Sequence, residues 1–136
     1  MAKLASDGRP LPQPTPVTQA FFDAAQDQRL ILPHCPREGY FFYPRSHCPC
    51  CLKRDWEWKP ASGRGTVYAF TVDRMGHDPN LVNWVPYIVA AIELEEGPRM
   101  TANIVGCAPE DVRVGMPVEA TYENVDDVTI IQFCLV

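Results

Sequence analysis

The sequence predicts a mainly β protein with an N-terminal helix, a rubredoxin-like zinc ribbon and a five-stranded barrel of the OB type. Three observations carry this. Two cysteine knuckles, Cys35-Pro36-Arg37-Glu38-Gly39 and Cys48-Pro49-Cys50-Cys51, lie 13 residues apart. An aromatic segment, Trp56-Glu57-Trp58, follows them directly. Beyond Gly63 the chain becomes a series of longer apolar β segments broken by turn residues.

From the N-terminus, Gly8 to Pro16 hold four prolines, which fix much of the backbone in extended form. Such an arm suits a tether, a partner-clasping segment or a disordered tail. Thr15 before Pro16 reads as an N-cap with proline at the first helical position. Val17, Ala20, Phe21, Ala24 and Ala25 then fall on one helical stripe. A helix is expected from about Pro16 to Gln28, with Phe22 widening its apolar face. No strand adjoins it in sequence, so it is expected to pack on the ribbon or on another protein.

The ribbon follows from ligand chemistry. A structural zinc takes four thiolate or imidazole ligands, and a C-x2-C turn supplies two. Cys48 and Cys51 have that spacing. Cys35 stands in the same setting, but Glu38 occupies its partner's position, with the turn glycine Gly39 still in place. Either one ligand has been exchanged or the metal has been lost. Glu38 can offer oxygen beside the sulfurs of Cys35, Cys48 and Cys51; His34, His47 and Cys50 are nearby substitutes. If the metal is absent, the aromatic residues are left to keep the ribbon's shape. Leu30 to Pro33, Tyr40 to Pro44 and Trp56 to Trp58 supply its three short strands.

The barrel strands are expected at Thr66 to Val72, Tyr87 to Leu94, Met100 to Val105, Val118 to Tyr122 and Val128 to Phe133. A helical turn at Pro109 to Val112 separates the third from the fourth. That order is the one of an OB-fold. Glu95-Glu96-Gly97-Pro98 and Val114-Gly115-Met116-Pro117 provide reversals. Tyr87 to Ile92 is apolar on both faces, so its outer face needs a cover. The chain divides into an arm and helix over 1–29, a ribbon over 30–59 and a barrel over 60–136. A barrel that small often draws stability from a metal, a partner or an oligomer.

Bulk properties narrow the function. Of 136 residues 46% are hydrophobic, which is ordinary for a globular chain, and no stretch approaches a membrane span. The start lacks the apolar run of a signal peptide, so a cytoplasmic location with reduced thiols is expected. Six cysteines then argue for metal over disulfides, with Cys107 and Cys134 as buried apolar residues. The net charge of −5 and the lack of a basic run disfavour nucleic acid.

No catalytic constellation is legible. His34, His47 and His77 stand in no triad spacing, and His77-Asp78 reads as a solvated turn before Pro79. Ser62-Gly63-Arg64-Gly65 enters a strand, so it cannot cradle phosphate at a helix N-terminus. The connection from Asp73 to Pro86 carries Met75, Leu81, Val82, Trp84 and Val85, more apolar surface than a solvated loop usually holds. It either folds back over its own barrel mouth or meets a partner or acyl chain. The second reading makes Leu81, Val82, Trp84 and Val85 partner-binding residues.

Taken in register, Phe21-Phe22, the ribbon with Tyr43-Pro44-Arg45, Ser62 to Tyr68, Pro86-Tyr87, Glu93 to Gly97 and Val114 to Val118 resemble a family of zinc-ribbon plus OB-fold proteins associated with acyl-CoA metabolism. The resemblance covers nearly all the chain from Phe21 onward. It implies an accessory subunit of thiolase-like acyltransferases or aldolases, or of MaoC-like enoyl-CoA hydratases, with coenzyme A thioester as a shared ligand. Under that reading Arg45 and Arg64 are the candidates for coenzyme A phosphates, because guanidinium forks match phosphate oxygens; both also suit surface ion pairs. The alternative is a single-stranded nucleic-acid or tRNA binder, a role in which OB barrels and zinc ribbons both occur.

Overall fold

The computed structural model describes residues 3–136. The arm is followed by a helix, α1 (Gln19–Gln26). A small antiparallel sheet comes next, from β1 (Ile31–Cys35), β2 (Gly39–Tyr40) and β3 (Glu57–Pro60), ordered β2-β1-β3. Strands β4 (Arg64–Asp73), β5 (Tyr87–Leu94), β6 (Arg99–Ile104), β7 (Pro117–Val125) and β8 (Val128–Leu135) then close a barrel ordered β4-β5-β6-β8-β7. Neighbours pair antiparallel except β6 and β8, which meet in parallel at Ile104 and Phe133. A 3-10 turn at Pro109–Asp111 joins β6 to β7. All five expected barrel strands are present, as is the turn.

Alternation decides the barrel core. In β5, Ile88, Ala90, Ile92 and Leu94 are buried, while Tyr87, Val89, Ala91 and Glu93 on the other face are half-buried. The buried set packs with Val67, Met100, Ile104, Val118, Ile131 and Phe133. Gly65 is fixed by close approach: a Cβ there would stand 2.5 Å from the carbonyl oxygen of Glu93. A bulge between Val67 and Ala69 adds the curvature that closure needs.

The helix differs from expectation at both ends. It starts at Gln19 because the Thr15 hydroxyl accepts from the Thr18 amide, holding residues 15–18 in a turn before the helix proper. It ends at Gln26, and Gln28 adopts a left-handed φ of 57°. Its packing is also corrected. The helix lies on β8 and β7 of its own barrel as well as on β1, and Phe21 and Ala25 share one core with Leu30, Leu32 and the barrel. Ribbon and barrel therefore have a common apolar interior, with Tyr40, Phe42 and Trp58 packed against it. The aromatic run leaves the sheet after Tyr40, so β2 is shorter than the sequence suggests.

The arm is neither a free tether nor disordered. It folds into a small hairpin in which Leu4 pairs with Pro10, and its Ala5 and Leu11 bury against Val125. Arg9 clamps it to the barrel, donating two hydrogen bonds to the Glu123 carboxylate at 3.0 Å and one to Asp7 at 3.0 Å. The Arg9 side chain is 16% exposed, and its guanidinium carbon sits 4.3 Å from the centre of the Trp84 ring.

The clamp makes stability depend on acid. Arg9 holds the Glu123 carboxyl below its ordinary range, so the pair stabilises the fold fully above the unfolded carboxylate pKa. That contribution fades as pH falls through the lower, folded value. Glu123→Gln is expected to cost about 1 kcal/mol at neutral pH, discounted for solvent screening, and to flatten the acid limb of the melting profile. An unchanged melting temperature from neutral pH down to the carboxylate range would show that the clamp is energetically idle.

Candidate functional site

The ribbon brings three thiols together. The sulfurs of Cys35, Cys48 and Cys51 lie within 4.8 Å of one another, with Cys35 and Cys51 at 3.6 Å. Cys35 ends β1, and the turn back into β2 passes through Gly39 at φ 81°. Cys48 and Cys51 occupy a tight turn in which the Leu52 amide donates to the Cys48 carbonyl. Phe41 and Trp56 wall the site, their rings packed edge to face at 5.7 Å.

Its electrostatics favour thiolate at one corner. The Lys53 amide and the Arg37 guanidinium pull the Cys51 thiol down to about 7, whereas burial pushes Cys35 up. Arg37 Nη2 stands 3.5 Å from the Cys51 sulfur and also pairs with Asp55. This charge on the first knuckle was not read from the sequence; its only trace there is a basic residue inside the turn. Glu38 is exposed and its carboxylate does not join the three sulfurs. The donor set, two thiols buried and one half-buried, all deprotonatable and convergent, fits zinc.

A second site lies at the end of the barrel where β4 hands over to β5. Residues 73–86 are ordered locally: Asp73 accepts from the amides of Met75 and Gly76 and, at 2.7 Å, from the Tyr87 hydroxyl. A Cβ on Gly76 would stand 2.9 Å from Val82 Cα, so the loop closes on itself there. Leu81 and Val85 are half-buried, but three of its apolar groups stay in solvent. Met75 is 73% exposed, Val82 51% and Trp84 40%. Beside it runs a groove of about 490 Å³, with Leu81, Trp84, Pro86, Ile104 and Ile130 on its walls and Arg9 with Glu123 at its edge. Arg9 is paired with both Glu123 and Asp7, so no unpaired charge faces the groove, whose walls are mostly apolar. The part played by Arg9 was invisible in the sequence, 114 residues away from Glu123.

The two arginines singled out for phosphate lie elsewhere. Arg64 opens β4, about 30 Å of strand from the loop at the other end. It forms a two-point pair with Glu95, and both side chains are exposed. Arg45 is exposed in the ribbon and donates to the Tyr43 carbonyl. Cys107 and Cys134 are half-buried, not fully buried as expected; burial pushes the Cys107 thiol up, which disfavours a nucleophile. Among the described residues no helix is long and apolar enough to cross a membrane.

Fold and site together define a protein with a three-cysteine ribbon fused to an OB barrel. Residues 22–57 match the family model of the ChsH2 rubredoxin-like zinc ribbon domain, and residues 58–123 match that of the ChsH2 C-terminal OB-fold domain. A DUF35 domain-containing scaffold protein of Methanocaldococcus jannaschii is 39% identical over 72% of this chain and 70% of its own length. A probable enoyl-CoA hydratase alpha subunit of Thermomonospora curvata is 35% identical over 87% of this chain, which spans only 37% of that protein. The solved Ltp2-ChsH2(DUF35) aldolase superposes with a TM-score of 0.80 at 33% identity, covering 92% of this chain and 98% of the other. The chain belongs to the DUF35, or ChsH2-type, family of zinc-ribbon and OB-fold proteins.

Proposed function

We propose that this chain is a non-catalytic accessory subunit of an acyl-CoA-processing complex, bound to a thiolase-like or hydratase-like enzyme that it stabilises and whose acyl-CoA site it helps to wall. The exposed apolar loop carries this reading. A closed barrel still presents Met75, Val82 and Trp84 to solvent beside a mostly apolar groove. The names of the relatives support it, since one is a scaffold protein, one a hydratase subunit and one an aldolase assembly.

In this reading Leu81, Val82, Trp84 and Val85 meet the partner. Arg45 and Arg64 reach the phosphates of coenzyme A; the pair of Arg64 with Glu95 is solvent-screened and inexpensive to open. Zinc, when bound, supplies a cross-link that fixes the ribbon, with Cys35, Cys48 and Cys51 holding it. Nucleic acid is not favoured, because the net charge is −5 and no run of basic residues occurs.

The deciding experiment isolates whatever enzyme co-purifies with the tagged chain and assays acyl-CoA turnover with each component alone and with both. No turnover is expected from this chain alone, and at least a severalfold gain in activity or soluble yield of the partner in its presence. Steady acyl-CoA turnover by the isolated chain, lost on replacing His77, would make it an enzyme.

A further inference from the structure

The thiolate site lacks a fourth donor from its own chain, and the side chains able to stand in are engaged or turned outward. His47 Nδ1 lies 2.8 Å from the Ser46 hydroxyl, and its Nε2 accepts from Arg54 at 2.9 Å. The His34 ring packs edge to face on Tyr40 at 4.7 Å. Cys50 and Glu38 are both exposed, and neither brings its donor atom into the group of three sulfurs. Among the described residues nothing else joins that group.

Two further features suit a site of three thiolates. A divalent ion on three thiolates carries one net negative charge, and Arg37, itself paired with Asp55, donates a hydrogen bond to the Cys51 sulfur at 3.5 Å. Cys35 and Cys48 are buried while Cys51 is half-buried, so the cluster reaches solvent at the Cys51 corner. Structural zinc sites close all four positions with protein ligands; a site with three keeps one open to an exchangeable donor.

We propose that the ribbon holds zinc through Cys35, Cys48 and Cys51 alone, leaving a fourth coordination position for an exogenous small donor: water at rest, or an imidazole-class or thiol-class ligand when one is present. This rests on the zinc reading above and goes beyond a purely structural cross-link. Glu38, standing where the second cysteine of the knuckle is expected, is the residue that opens the position. Arg37 donates to the Cys51 sulfur at the edge of the site.

The test uses the full chain purified without chelator, its zinc content measured and the metal then exchanged for cobalt(II), whose visible absorption reports its ligands. Imidazole is the probe. Wild type, Glu38→Ala and Cys50→Ser are expected to bind one metal per chain and to shift their absorption on adding imidazole. Glu38→Cys is expected to give stronger sulfur-to-cobalt charge transfer, no response to imidazole, and metal binding tighter by roughly tenfold or more. A wild-type spectrum unmoved by imidazole overturns the proposal, and whichever of Glu38→Ala or Cys50→Ser then alters it identifies the internal fourth ligand. Wild type that takes up no metal fails the zinc reading itself, a separate outcome.

Discussion

Cys48→Ser is expected to remove the metal and lower the melting temperature together, because in a ribbon this small metal binding and folding are one equilibrium. Cys48 is 1% exposed, and its sulfur belongs to the cluster formed with Cys35 and Cys51. With three ligands in place, losing one leaves two, too few to hold zinc. Metal content is expected to fall below about a tenth of an equivalent per chain, and Tm by roughly 10 °C or more. The loss should not stop at the ribbon, since Leu30, Leu32, Tyr40, Phe42 and Trp58 pack into the same interior as β4 to β8. Calorimetry on wild type and variant, each with its zinc content measured, separates the cases. A wild type already free of metal, or a variant that melts with it, would leave Phe41, Trp56 and Trp58 as what holds the ribbon.

The chain shows which features a sequence carries openly. The barrel strands are readable as apolar, β-rich runs bounded by turn residues: Tyr87 to Leu94 has the expected ends, although a run apolar on both faces does not show which face the core takes. The clustering of Cys35, Cys48 and Cys51 follows from the spacing of the knuckles, but Glu38, expected beside them, stays outside the group. Long-range electrostatics were not readable. The arm looked like a proline-rich tether because nothing near Arg9 predicts Glu123, on β7, or the Trp84 ring, on a distant loop. Prolines 10 and 12 describe an extended backbone correctly but say nothing of what it lies against. The helix start is decided locally instead, by a contact that residue type alone does not show. Thr15 before Pro16 has the pattern of a helix cap, whereas its hydroxyl organises the turn one step earlier.

Trp84→Ala is expected to weaken association with the partner enzyme by about 2 kcal/mol or more, roughly thirtyfold in Kd. Tryptophan offers a large rigid contact area at low side-chain entropy cost, and such residues dominate binding when they enter a desolvated pocket. Here 40% of Trp84 is still open to solvent although Arg9 covers part of the ring. The Arg9 contact complicates the single substitution, because removing the ring also removes a cation–π partner within the chain, worth about 0.5–1 kcal/mol at an exposed site. Val82 supplies the control. It is 51% exposed on the same loop, so Val82→Asp should weaken association by burying a charge at the contact while leaving the isolated chain's melting unchanged. Titration calorimetry against the purified partner, with thermal melts of each isolated variant, reads both quantities. If Trp84→Ala abolishes cooperative melting and Val82→Asp binds like wild type, the loop belongs to the barrel's own packing, and the partner must be met by the ribbon or by the exposed side of α1.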